Sequence, residues 1–283
     1  MKILECLHTE SKCYKAAEAA HPVGIVVHST GVNNPWLSRY VQPSKADPDR
    51  EELLSLIGKN KYSNSWNRSV NKSTHYRIGK LADGTVGVAH ILPEEFCAWG
   101  VGNGKKGSYN YNPTAHIQFE VCEDNLKDAA YFKDCYNAAV SLCADICRRW
   151  GWDESVIVSH KEAHALGYAS NHGDIDHWLK KFGMTMDDFR ADVKELLRPG
   201  ETGADSPSGG ETGGGSPSRI FAVGETVNFV GNTHYTNANA KTGKACKPGK
   251  AVLMQIYRLG KSKHPYLVKG STVYGWVDEG DVR

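Results

Sequence analysis

Ala115-His116-Ile117-Gln118-Phe119-Glu120-Val121, the apolar series running from Lys127 to Trp150, and Val156-Ile157-Val158 together decide how this chain folds. The first segment alternates apolar and polar side chains with a period of two, the pattern of a strand. In the second, Tyr131, Cys135, Ala139, Leu142, Cys143, Ile146 and Trp150 recur at three- and four-residue spacing, and Gly151 closes the series. That is an amphipathic helix with a glycine stop. The third is a short β-branched run that delivers His160 at its end.

Working outward, Gly24-Ile25-Val26-Val27 reads as a buried strand ending at His28. His75–Gly79 and Asp83–Ala89 read as a hairpin around Asp83-Gly84, and Asp187 to Leu197 as a final helix. The expected fold for residues 1–198 is α/β (α+β), a mixed central sheet flanked by helices. Residues 199–218, PGETGADSPSGGETGGGSPS, have Ala204 as their one apolar side chain apart from proline and read as a flexible linker. Twenty such residues span roughly 25 Å. Residues 219–283 lack a helical period and carry strand-like runs at Thr226–Val230, Ala251–Tyr257 and Thr272–Val277, so a small all-β barrel is expected there.

Composition sets the outer bounds. The chain has 283 residues, 40% hydrophobic and 23% charged, which excludes a disordered chain, a collagen or a coiled coil. No run approaches the ~18 apolar residues of a membrane helix, and Met1 to His8 lacks the apolar run of a secretion signal. The expectation is synthesis in a bacterial cytoplasm and exit by another route. The net charge of +2 is unevenly placed: residues 219–283 hold ten Lys/Arg against four acids. That basic surplus suits a polyanion, or else is a solvated face. The eight cysteines form no Cys-x-x-Cys pair and are expected to be reduced.

Three side chains carry the chemistry. His28 and His160 each end a strand, and Asp174 follows in Ser170-Asn171-His172-Gly173-Asp174. Two imidazoles and a carboxylate make a three-ligand zinc site with one position open; histidines that merely satisfy local hydrogen bonds are the plainer reading. A rival set is His160-Lys161-Glu162-Ala163-His164, whose histidines share a helix face at i and i+4 but whose Glu is displaced from the His-Glu-x-x-His pattern. Asp176 and His177 compete with Asp174 for the loop position. Gly102–Gly107 is loosely similar to a phosphate loop but lacks the full pattern.

Val26-Val27-His28-Ser29-Thr30, Thr74-His75-Tyr76-Arg77-Ile78, Ala98-Trp99-Gly100, His116–Glu120, Ser159-His160-Lys161-Glu162 and Asn171-His172-Gly173-Asp174 together resemble the type 2 N-acetylmuramoyl-L-alanine amidases, relatives of peptidoglycan recognition proteins and frequent in phage endolysins. The resemblance spans most of residues 1–198, in the family's order. It implies Zn2+ held by His28, His160 and Asp174. It implies Glu120 as the proton-moving carboxylate, His172 as a donor to the oxyanion, and His75 and Trp99 as cleft lining. The chain departs from the pattern twice. Gly100 stands where the family often has His, and Gln118 stands where it has Gly, expected to alternate away from the Glu120 face.

Residues 219–283 resemble bacterial SH3-like wall-binding modules, through Val223–Phe229, Gly231–Tyr235, Lys247-Pro248-Gly249, His264-Pro265-Tyr266 and Val273–Val277. That resemblance implies Tyr235, Tyr266 and Trp276 as platforms for sugar or peptide. The combined expectation is a wall-lytic zinc amidase that acts on bacterial peptidoglycan after holin-type or other release. Its module would meet anionic wall polymers, with no nucleic-acid partner and no membrane insertion. A non-catalytic recognition protein and a zinc endopeptidase are the alternatives.

Overall fold

The computed structural model describes residues 3–68, 70–198, 221, 224–238, 240–256 and 263–283; the expected linker lies outside the described residues. The chain runs β1 (Ile3–Glu5), α1 (Lys12–Ala16), β2 (Ile25–Asn33), α2 (Arg50–Ile57), β3 (Tyr76–Lys80) and β4 (Val86–His90). It continues with β5 (Ile117–Glu123), α3 (Ala129–Trp150), β6 (Ile157–Ser159), α4 (His160–Leu166), α5 (Asp176–Lys181) and α6 (Met186–Leu197). Two units separate: residues to Ala144 with Trp152–Leu197, and Asp145–Gly151 with the residues from Arg198 onward.

The first unit is a six-stranded mixed sheet in the order β1-β4-β3-β5-β2-β6, in which the β3–β4 hairpin is antiparallel and the other pairings are parallel. The mixed α/β expectation holds. Strands buried on both faces must be apolar on both, and β2 accordingly opens with Ile25, Val26 and Val27 wholly buried. On one face Val121 meets Phe132 and Cys135 of α3, Trp178 of α5 and Phe189 of α6. The opposite face has two covers. Tyr40, Leu53 and Ile57 pack with Cys122, while Val101, Tyr109 and Ala163 pack with Val26. His28 and Glu120 share that second face.

Register aligns the chemistry. His28 pairs with Glu120 across β2 and β5, Glu120 pairs with Arg77 across β5 and β3, and Val27 pairs with Ser159 of β6. Arg77, Glu120 and His28 therefore form one row over three adjacent strands, and His160 follows directly after Ser159.

Two readings change here. β2 does not end at His28 but runs on to Asn33. Gln118 does not point away from the Glu120 face, because a strand's period of two puts residues 118 and 120 on the same side. Gln118 is fully buried, and its amide donates to Asn110 Oδ1 at 3.0 Å. A Cβ on Gly100 would collide with Gln118 Oε1. The two departures from the family pattern thus go together: the side chain at 118 fills the room that a side chain at 100 would need.

In the second unit β7 (Thr226–Phe229), β8 (Thr233–His234), β9 (Lys244–Ala245), β10 (Gly249–Ile256), β11 (Tyr266–Gly270) and β12 (Tyr274–Val277) follow. They form an antiparallel sheet β12-β11-β10-β7 and a separate β8–β9 pair. Phe221, Val227, Phe229, Leu253, Tyr266 and Val268 are among the residues of its core. Tyr266, expected as a platform, is 1% exposed and belongs to that core. Its neighbour in fold, Tyr274, is 64% exposed.

Candidate metal centre

His28 is carried at the end of the buried half of β2 and is 3% exposed. His160 is the first residue of α4, whose start is fixed by a capping box. The Ser159 hydroxyl accepts from Glu162 N at 3.1 Å, and the Glu162 carboxylate accepts from Ser159 N at 3.0 Å. Gly167, in the left-handed region at φ +96°, ends the helix. Asp174 arrives from the loop that precedes α5.

Three atoms converge. His28 Nδ1 lies 3.0 Å from His160 Nδ1 and 3.3 Å from Asp174 Oδ2, and His160 Nδ1 lies 3.5 Å from that same oxygen. Two ligands of a tetrahedral zinc, each at about 2.0–2.1 Å, sit about 3.3 Å apart. The donor set and its spacing fit that ion. The outer nitrogen of His160 faces Ser170 O at 3.1 Å; donation there leaves Nδ1 as a bare lone pair aimed into the cluster, the second-sphere arrangement of a metal histidine. Burial would raise the Asp174 carboxyl. The hydrogen bonds and charges of His160 and His28 override it and hold Asp174 well below the usual carboxylate range.

Among the described residues this is the group of three or more His, Cys, Asp or Glu placed to hold a metal. The rivals His164, Glu162, His177 and Asp176 lie outside that cluster. His164 Nδ1 faces Ala169 O at 3.0 Å, and Glu162 pairs with Arg190 at 2.9 Å. His177 pairs with Glu123 at 3.1 Å, and Asp176 stands 3.9 Å from Lys161.

The remaining expected residues divide. Glu120 is ion-paired through Oε2 with Arg77. The His172 side chain is 60% exposed, with Nδ1 3.9 Å from Asp174 Oδ1 and its ring 4.9 Å from that of His160. Trp99 is half-buried against Cys13, Leu92 and Ala98. His75 does not line a cleft. It is fully buried, with Nε2 facing Phe96 O at 2.9 Å and Nδ1 accepting from Gln118 N at 2.9 Å. Burial pushes its pKa down to about 4. In the second unit Tyr235 stacks on His264 with centroids 3.3 Å apart, and Trp276 is backbone-paired with Tyr235. Arg77 was missed by the sequence reading. A charge inside the hairpin strand Tyr76-Arg77-Ile78 was the available signal.

Residues 18–175 match the family model described as N-acetylmuramoyl-L-alanine amidase. The match covers more than half of the chain, and the chain belongs to that family. Solved structures similar to it include the Staphylococcus aureus hydrolase AmiA in complex with its ligand, at 17% identity and TM-score 0.44, covering 70% of this chain and 83% of that one. The PlyG catalytic domain is similar at 19% identity and TM-score 0.44, covering 74% and 100%. A mutant endolysin from Bacillus subtilis is similar at 18% identity and TM-score 0.45, covering 68% and 99%. No curated protein sequence matched significantly.

Proposed function

We propose that this chain is a zinc-dependent peptidoglycan amidase that hydrolyses the bond between N-acetylmuramic acid and L-alanine of the stem peptide. The observation that carries the reading is the convergence of two imidazole nitrogens and a carboxylate oxygen on one point, beside Glu120 in the adjoining strand. His28, His160 and Asp174 would hold the ion. When bound, zinc supplies a Lewis acid and brings water toward a pKa of about 7. Glu120 takes a proton from the attacking water and returns it to the leaving amide nitrogen. His172, exposed at the rim, donates to the oxyanion.

The basic second unit is proposed as an SH3-like wall anchor, with anionic wall polymers as its partner, and a phage or prophage endolysin released by a holin as the setting. Among the described residues no helix is long and apolar enough to cross a membrane.

Mass analysis of digested, purified peptidoglycan tests the activity. Released intact stem peptides with a free L-alanine amino terminus, beside unbroken glycan, are expected. Cleavage within the stem would make it an endopeptidase, and binding without any release would make it a recognition protein.

A further inference from the structure

A guanidinium stands buried inside the first unit. The Arg77 side chain is 1% exposed, while the Glu120 side chain that it pairs with is 19% exposed. The guanidinium carbon lies 4.5 Å from the Trp66 ring centroid and 5.0 Å from that of Tyr40. Two aromatic faces and one carboxylate therefore confine it. Its surroundings are dry. Burial pushes the Tyr40 phenol up to about 12, and burial, with the Arg77 charge adding to it, pushes the His8 imidazole down to about 3.

An enclosed ion pair is an expensive way to hold a sheet together, because desolvation offsets much of the attraction and apolar residues of similar volume often do as well. The direction of this pair is informative. The cation is at the closed end and the anion at the open end, in the row that leads from Arg77 through Glu120 to His28. Arg77 cannot reach a substrate; it can reach only the group that does.

We propose that Arg77 is a positioning residue for Glu120: it holds Oε2, narrows the orientations open to the carboxylate, and leaves Oε1 as the oxygen that accepts the proton. Trp66 and Tyr40 hold the guanidinium in turn. A carboxylate on three rotatable bonds, half open to solvent, samples many orientations. One whose Oε2 is paired with a nitrogen of a confined guanidinium samples fewer. This inference rests on the amidase reading above.

The test is a double-mutant cycle on the full chain. Glu120→Gln removes the base, Arg77→Met removes its tether at similar volume, and the two are combined. Arg77→Met should lower kcat on the order of 10²-fold, the scale of a misplaced catalytic group, with KM and zinc content little changed. The combined variant should be no slower than Glu120→Gln alone, because Arg77 acts only through that carboxylate. An Arg77→Met enzyme with the parent kcat overturns the inference, and so does a combined variant slower than Glu120→Gln by the whole Arg77→Met factor. Should Arg77→Met not fold, Arg77→Lys keeps the charge and loses the planar group that Trp66 and Tyr40 confine; it is expected to lose turnover with zinc retained, and a parent-like kcat counts against the inference. A parent protein that releases no stem peptide fails the amidase reading instead, before any variant is measured.

Discussion

Each unit of this protein carries a histidine against an aspartate, and the two pairs teach opposite lessons. In the second unit His264 faces Asp278 through Nδ1 and Ala240 O through Nε2, and its ring lies flat on Tyr235. Both nitrogens are spent and nothing is left over. In the first unit His28 and His160 point Nδ1 at each other across 3.0 Å with Asp174 beside them. Two imidazoles cannot both satisfy one another in that pose, since at least one must present a lone pair. A polar knot that closes on itself is structure. One that leaves a lone pair uncovered stays open to a ligand.

The sharpest way to break the comparison is to remove the metal. Chelation should take about one zinc per chain and abolish turnover, with recovery on adding zinc, and Asp174→Ala should lose zinc irreversibly. Asp278→Asn in the second unit should leave zinc content intact and turnover on soluble muropeptides within about twofold, at a stability cost of no more than about 1 kcal/mol, because the Asn oxygen still accepts from His264 Nδ1. His164→Ala and Asp176→Ala should retain zinc. If Asp278→Asn loses as much zinc as Asp174→Ala, the contrast between closed and open pairs is wrong.

How much of this was legible beforehand follows from range. β5, α3 and the β3–β4 hairpin announce themselves by local periodicity, and His28 and His160 by the short β-branched runs Ile25–Val27 and Val156–Val158 that they follow. β1 is three residues long and is made a strand by pairing with β4, which no local window shows. His75, Gln118 and Tyr266 were misplaced for one shared reason: each lies in or next to a strand whose facing is decided by partners far away in sequence. In a sheet covered on both sides, polar character does not mark the outside, so His75 and Arg77 could sit buried on the same face. For Tyr266 the alternation Tyr266-Leu267-Val268-Lys269, with Lys269 outward, was a usable clue.

A second contrast is in acid. His8, His75 and His116 of the first unit are held neutral, chiefly by burial, at about 3, 4 and 4. His75 shows why: its Nδ1 already accepts a backbone N–H, so protonation would set two hydrogens against each other. Their unfolded counterparts titrate near 6.5. Above that pH both states are neutral and the full stability is present. As pH falls from about 6.5 toward 4 the unfolded chain gains protons that the folded one refuses, and stability is lost by up to about 3 kcal/mol for each of the three. Urea melts at pH 7, 5 and 4, followed by tryptophan fluorescence, should show the midpoint dropping steadily. A midpoint independent of pH over that window would mean that these rings are open to protons in the folded state.

The aromatic residues of the second unit separate core from surface. Tyr266→Ala empties part of a core and should cost about 3–5 kcal/mol, as other large aromatic truncations do. Tyr274→Ala removes a side chain that is 64% exposed and should change stability by less than about 0.5 kcal/mol. If exposed rings hold the wall, Tyr274→Ala and Trp276→Ala should weaken sedimentation with purified cell walls by several-fold while leaving soluble-substrate turnover alone. If instead Lys241, Lys244, Lys247 and Lys250 hold it by charge, binding should fade as salt shortens the screening length from about 10 Å at 0.1 M toward 3 Å at 1 M, and the ring variants should bind like the parent. Stacking on sugar is little affected by salt, so the two mechanisms predict opposite columns of one experiment. Binding that ignores both salt and ring removal would place the anchor outside the second unit and undo the division of labour between a closed polar knot and an open one.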